Sequence, residues 1–163
     1  MTVACELDDA VGQIAALLAA DTNPDTYITG WADEAWRVKA IITDDLVVPK
    51  EYPVIYVAAT GQERRALWAD TEYETRLNVD LIVEQQWREP TSATDSKRQL
   101  TLLCRRVEEV LRVNRVSEPY WSRSVFHDEK EALRLDLYRL EAAQHVIVGG
   151  VLYWFGYRVT QLA

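Results

Sequence analysis

The chain has 163 residues, a net charge of −8, 48% hydrophobic residues and 27% charged residues. These values are typical of one folded domain and exclude a disordered chain. No apolar run reaches the roughly 18 residues that a membrane span needs, and the acidic balance argues against tight binding to DNA phosphates. The first residues lack the basic and apolar segments of a secretory signal. We therefore expect a single domain over residues 1–163, synthesised in the cytosol.

The first predicted element is a helix over residues 6–20. Its apolar residues recur at spacings of three and four, and they are Leu7, Val11, Ile14, Leu17 and Leu18. Asp8 and Asp9 suit the positive end of the helix dipole. Residues 21–25 are predicted to end the helix, because they combine Asn-Pro with two aspartates. Residues 31–45 leave two alternatives open: a short helix over 32–38 or a strand over 37–43.

A short apolar strand is predicted over residues 54–59, and a loop or irregular hairpin tip over residues 61–70. Residues 73–84 then alternate strictly between apolar and polar, which predicts a strand with one buried face. The apolar face holds Leu77, Val79, Leu81 and Val83, and the polar face holds Arg76, Asn78, Asp80 and Glu84.

A second amphipathic helix is predicted over residues 97–112, after a polar break at 88–96. Its apolar stripe contains Leu100, Leu103, Cys104, Val107, Val110 and Leu111. A thiol inside such a stripe usually behaves as a small core side chain, so we expect Cys104 to be structural. A disulfide with Cys5, the other cysteine, is disfavoured by a reducing cytosol.

The last third is predicted to contain strands. Residues 120–127 and 133–137 alternate, and a slip at 138–140 suggests a bulge or the end of the strand. Residues 144–148 are predicted to form one more strand. The chain is then predicted to turn at Gly149-Gly150 into a closing strand over 151–161. The class is therefore α+β: a mainly antiparallel or mixed β-sheet with two helices packed on one face.

The charges are unevenly distributed along the chain. Residues 1–51 carry a net charge of −7, whereas residues 97–115 carry a net charge of +4. An acidic first third and a basic helix could complement each other within one chain or between copies. Alternatively, the basic residues form a solvated helix face with the i,i+4 pairs Arg105–Glu109 and Glu108–Arg112.

No catalytic signature is present, and we expect a non-enzymatic protein without cofactor or metal. The chain lacks phosphate-binding glycine loops, nucleophile elbows and zinc motifs. His127 stands alone beside two acids, which favours a structural role over metal binding. The alternative is a metal-dependent nuclease or hydrolase that uses Asp80, Glu84 and Asp136.

Arginine and aromatic residues, which are enriched in protein interfaces, point towards an assembly protein. Trp68 follows Arg64 and Arg65 in the predicted loop 61–70. The predicted interface comprises these three residues and the basic side of the second helix, that is Lys97, Arg98, Arg105, Arg106 and Arg112.

The order of elements resembles the tail terminator and tail-completion (neck) proteins of long-tailed bacteriophages. The resemblance rests on the helix 6–20, the strand Tyr52-Pro-Val-Ile-Tyr-Val57, the long strand 73–86, the helix 97–112 and the closing strand 151–160.

The resemblance implies a structural virion protein located in the tail or neck. Its partners would be copies of itself in a homohexameric ring, the tail tube protein and the head-completion or connector protein, with no membrane. The ring would stop polymerisation of the tube, and DNA would pass through it only as cargo. Another neck or adaptor role is the second possibility within this class. A ring requires two different complementary surfaces on each copy, which the acidic first third and the basic helix could provide.

Overall fold

The computed structural model describes residues 5–21, 37–43, 49, 51–67, 71–87, 93–126, 135–142 and 145–161. Two helices, α1 (Glu6–Ala19) and α2 (Ala93–Val113), accompany a β-sheet. Its strands are β1 (Ala40–Ile42), β2 (Val54–Ala66), β3 (Glu72–Trp87), β4 (Arg123–Val125), β5 (Leu135–Ala142) and β6 (His145–Gln161). None of the described helices combines the length and apolar character required to cross a membrane.

The six strands occupy five positions in one mixed, mostly antiparallel sheet. The order is β1-β2-β3-β6-β4, and β5 also pairs with β6. β4 pairs with the segment Phe155–Tyr157 of β6, whereas β5 pairs with the segment 145–152, so both lie along the same edge of β6. The pairing of β1 with β2 is parallel, and the other pairings are antiparallel. The predicted α+β class is therefore confirmed.

The hydrophobic core lies between one face of the sheet and both helices. The predicted apolar face of β3 is buried, with Leu77, Val79, Leu81 and Val83 at most 1% exposed. All six residues of the predicted α2 stripe are buried, and α1 contributes Ala10, Val11, Ile14 and Leu18. These patterns were predictable because a helix or strand with one buried side carries the corresponding period of 3.6 or 2.

Two tryptophans close the core beside α2. The rings of Trp121 and Trp154 meet edge to face with their centroids 4.9 Å apart, a favoured arrangement for aromatic pairs. Both side chains are buried. The indole of Trp154 lies over Gly156, where an added Cβ would stand only 2.2 Å from the nearest ring carbon. Glycine at this position is therefore required by packing.

The prediction of a loop or irregular hairpin tip over residues 61–70 was wrong for its first six residues, which are part of a paired strand. β2 continues to Ala66, and its pairing with β3 extends to the pair Ala66–Tyr73. A register shift between Ala59 and Gly61 lets the ladder continue after one extra residue. These residues are polar and largely exposed, so the strand is stabilised by its backbone pairing and not by a buried face.

The predicted hairpin at Gly149-Gly150 was also wrong. β6 runs without interruption from His145 to Gln161, and both glycines pair with β3 on one side and with β5 on the other. A two-residue hairpin turn needs at least one residue with positive φ, and none of the described glycines has one. The predicted closing strand is thus the second part of a longer central strand.

Three other predictions needed adjustment. In the described part of the segment 120–127, which ends at residue 126, only Arg123–Val125 forms a strand, because Tyr120 and Trp121 donate backbone hydrogen bonds to the carbonyl of Ser117 in a tight turn. The slip predicted at 138–140 is absent, since β5 keeps one register with β6 from Leu135 to Ala142. Of the two alternatives for 31–45, the strand is present as β1, and residues 31–36 lie outside the described part.

Candidate assembly surfaces

A buried carboxylate fixes the start of α1 to the sheet, where β3 begins and β6 ends. Glu6 is 2% exposed, and its Oε1 accepts hydrogen bonds from Tyr73 Oη at 3.1 Å and Thr160 Oγ1 at 3.2 Å. The guanidinium of Arg64 lies 3.7 Å from Glu6 Oε2 and 4.9 Å from the centre of the Tyr73 ring. Arg64 therefore serves an intramolecular contact, although half of its side chain remains exposed.

The end of α1 is fixed to α2 by a two-point ion pair. Arg106 donates hydrogen bonds from Nε and Nη2 to the two carboxylate oxygens of Asp21, at 3.0 and 2.9 Å. This pairing, together with Glu109, raises the pKa of Arg106. Asp21 belongs to the acidic first third, so part of the predicted charge complementarity is satisfied within one chain.

The predicted interface residues do not form one continuous site. Arg64 lies at the start of α1 and Arg106 at its end, and Glu6 and Asp21 are 15 positions apart, which would span roughly 22 Å as a helix. Arg65 is 74% exposed and pairs with Glu74 at 3.4 Å. Trp68 lies outside the described residues.

The remaining predicted residues follow the outer side of α2. Lys97 and Arg98 are exposed at its beginning. Arg105 pairs with Glu109 at 3.4 Å, and Arg112 pairs with Glu108 at 2.6 Å. Both predicted i,i+4 pairs are therefore confirmed. They neutralise the middle of the basic side and leave its excess charge nearer the helix ends.

The second face of the sheet carries no described helix and combines aromatic side chains with arginines. We call it the open sheet face and define it by Arg76, Arg123, Tyr153, Phe155 and Tyr157. The guanidinium of Arg123 stacks 3.8 Å from the centre of the Tyr157 ring, and that of Arg76 lies 5.3 Å from the centre of the Phe155 ring. The three aromatic side chains are half-buried. They alternate along β6 with Leu152 and Trp154, which are buried on the opposite face.

Acidic side chains tie these arginines into a network. Glu74 Oε1 lies 3.4 Å from Arg65 and 3.9 Å from Arg123, and Glu63 lies 3.7 Å from Arg76. Burial raises the pKa of Asp80 on the same strand face. Mixed charges around aromatic rings suit a protein partner, whereas a nucleic-acid surface would carry a clear excess of positive charge.

The three carboxylates of the alternative metal site are not gathered. Asp80 and Glu84 are four residues apart on β3, which corresponds to about 13 Å along a strand. Asp136 lies in β5, two strands away from β3, or roughly 10 Å across the sheet. Oxygen ligands lie within about 2.6 Å of a divalent cation, so its ligands crowd together. Among the described residues, no group of three or more potential ligands could hold a metal ion; His127 is outside them.

Sequence reasoning missed two features of the surface. One is the stacking of Arg123 and Arg76 on β6 aromatics, which depends on strand pairings that a single sequence does not reveal. The other lies at the end of α2, where Val113 is 84% exposed and Val116 is 54% exposed. The sequence did contain a signal for this second feature, because Val113 falls outside the apolar stripe of α2.

No protein-family model matches the chain, and no curated protein is significantly similar to it. Function is therefore inferred from the surfaces described above and from the order of the elements.

Proposed function

We propose that the chain is a structural, non-enzymatic subunit of a bacteriophage tail or neck. In this proposal, six copies form a ring that caps the tail tube, stops its polymerisation and joins it to the head-side connector. The proposal places the protein in the virion, with copies of itself, the tube protein and the head-completion protein as partners.

The open sheet face is the observation that carries the assembly part of the proposal. An antiparallel sheet commonly packs one face on the core and leaves the other face solvated. Here that second face presents Tyr153, Phe155 and Tyr157 beside two arginines, and these are the residue types enriched at protein–protein hot spots. Ring formation also needs a different surface on the same copy, for which the C-terminal end of α2 is suited, because Val113, Arg115 and Val116 are exposed there.

The phage-specific part of the proposal rests on the resemblance in element order. The fold contains the helix, the long paired strands, the second helix and the closing strand in that order. A net charge of −8 per copy would give a ring of acidic character. If the channel shares that sign, DNA could pass as cargo without adhering, because like charges repel.

The test combines a native mass with a tube-length assay. For a chain of 18.7 kDa, a hexamer has a mass of roughly 110 kDa, which light scattering separates clearly from a monomer. Electron microscopy would then measure the length of tubes assembled from the tube protein of the same phage. We expect tubes to stop growing when this protein is added, and continued growth at saturating protein would refute the terminator role.

A matched pair of variants connects the assay to the open sheet face. Arg123→Ala removes the guanidinium from Tyr157, and Arg98→Ala removes an equally charged, exposed side chain from α2. We expect the first variant to weaken ring formation or tube capping and the second to leave both unchanged. A stable monomer that binds neither tubes nor connectors would instead favour a small adaptor.

A further inference from the structure

The end of α2 forms a surface that is both apolar and basic. We call it the α2-end patch and define it by Arg112, Val113, Arg115 and Val116. Val113 and Val116 are the most exposed of the large apolar side chains in the described part of the chain. Two neighbouring valines in water favour burial against a partner.

A cleft beside the patch shows which chemistry it would accept. The cleft has a volume of about 260 Å³, and its lining comprises Leu111, Arg112, Arg115, Ser124, Val125 and Phe126. Arg112 is already paired with Glu108 and lies 5.7 Å from the centre of the Phe126 ring. Arg115 is exposed and forms no ion pair with any described residue. A lining that combines apolar side chains with an arginine that has no described ion-pair partner suits a carboxylate that is followed by small apolar groups.

The same chain presents that combination on the outer side of α1. Asp8 and Asp9 are exposed in its first turn, and the outer side continues with Gly12 and Ala16, which are exposed as well. A Cβ added at Gly12 would meet nothing within 4 Å. Asp9 Oδ2 lies 3.8 Å from Nη1 of Arg158. The described part of α1 contains no lysine or arginine, and its three acidic residues all lie in the first turn.

We propose that the α2-end patch of one copy docks on the outer side of α1 of a second copy. Arg115 then neutralises Asp8, and the two valines pack against Gly12 and Ala16, where the absence of long side chains permits close approach. Within one copy this contact is not made, because Val113 and Val116 remain exposed. Just beyond the patch, Gln13 of α1 donates a hydrogen bond to Ser117. The inference rests on the proposed function, since it names one of the contacts between ring subunits.

The charge complementarity selects a second copy over an unrelated partner. The acidic first third has a net charge of −7, and Asp21 already pairs with α2 inside the chain. Asp8 and Arg115 are left without described ion-pair partners in the same molecule. A contact between these surfaces would form an ion pair and would also bury apolar surface on both copies.

The experiment measures self-association by sedimentation over a concentration series. Val113→Asp and Arg115→Glu should each raise the dissociation constant about 30-fold, which is the scale of a hot-spot residue. The matched control is Arg98→Glu, an identical charge reversal at the exposed opposite end of α2, and we expect no change. The double variant Asp8→Arg with Arg115→Glu should restore association, because the pair is rebuilt with reversed signs.

The outcomes separate this contact from the proposed function. If wild-type protein associates and all patch variants associate equally well, the α2-end contact is wrong and the ring remains. If the double variant fails to regain association, the pairing of Arg115 with Asp8 is wrong. If the variants lose only binding to the tube protein, the occupant is not a second copy. A wild-type chain that stays monomeric alone and on tubes refutes both proposals. Circular dichroism of each variant identifies those that fail to fold, and Arg115→Ala then replaces Arg115→Glu.

Discussion

The packing of Trp154 over Gly156 predicts that Gly156→Ala strongly destabilises the fold. The new methyl carbon would stand 2.2, 2.8 and 3.0 Å from three carbons of the indole ring. Two carbon atoms that are not bonded to each other do not approach within 3.0 Å, so either the Trp154 ring or the backbone of β6 must move. Trp154 is 1% exposed and is held on another side by Trp121, so the ring has no solvent to move into.

The expected cost lies at the upper end of the usual range for overpacking. Adding a methyl group to a well-packed core costs about 1–3 kcal/mol. We expect about 3 kcal/mol here, because two buried rings and a central strand must rearrange together. In a domain of this size, that free energy lowers Tm by about 6–12 °C.

The assay compares thermal and denaturant unfolding of three glycine variants. At Gly61 an added Cβ would meet only Asn78 Nδ2 at 3.9 Å, and at Gly12 it would meet nothing within 4 Å. We expect Gly61→Ala to change the stability by less than about 1 kcal/mol and Gly12→Ala to raise it by up to about 1 kcal/mol through helix propensity. In a Trp154→Phe background, the cost of Gly156→Ala should fall, because the shorter ring leaves space for the methyl group. A Gly156→Ala protein that melts like wild type would refute this packing.

Three further predictions test the core and the ion pairs. Leu103→Asp should abolish cooperative unfolding, because it places a charge at a site that is 3% exposed; a native-like melting curve would contradict this. A double-mutant cycle with Arg106→Ala and Asp21→Ala should give a coupling energy of about 1 kcal/mol, reduced by the partial exposure of the arginine. A thiol reagent at pH 8 should modify Cys5 but not Cys104 until the protein unfolds. Burial raises the pKa of Cys104 from 9.0 to about 12, so the unfolded thiol ionises first. The buried neutral thiol of Cys104 therefore contributes its full share of stability below pH 9, and this share is lost between pH 9 and 12. Cys104→Ala should remove this part of the pH dependence, and an unchanged profile would refute the assignment.

The sequence predicted β3 and α2 well because each carries its own periodic pattern. Every apolar residue assigned to their buried sides is buried in the fold. The pattern is local, since it depends only on which side of the element faces the core. Strand pairing is not local, and the errors are concentrated there. Residues 61–66 have no alternation of hydrophobicity and form a strand because β3 continues beside them.

The glycine pair in β6 shows how tertiary structure overrides a local turn signal. Gly149 pairs with Glu84 and Tyr138, and Gly150 pairs with Val83 and Leu137. Strands on both sides supply backbone partners to this segment, which a turn would leave unsatisfied. The open sheet face was hidden for the same reason, because the contact between Arg123 and Tyr157 requires the pairing of β4 with β6 across 34 positions.

The distribution of charge has a different meaning in the folded chain than in the sequence. The basic segment 97–115 suggested one continuous surface, yet Arg106 is bound by Asp21, and Arg105 and Arg112 are bound by glutamates one turn away. Surface pairs of this kind add little stability, but they do cancel charge towards a partner. The cations that retain their charge are therefore at the two ends of α2, with Lys97 and Arg98 at one end and Arg115 at the other. Only the second end also exposes valines, and a contact that gains from both burial and charge neutralisation would form there first.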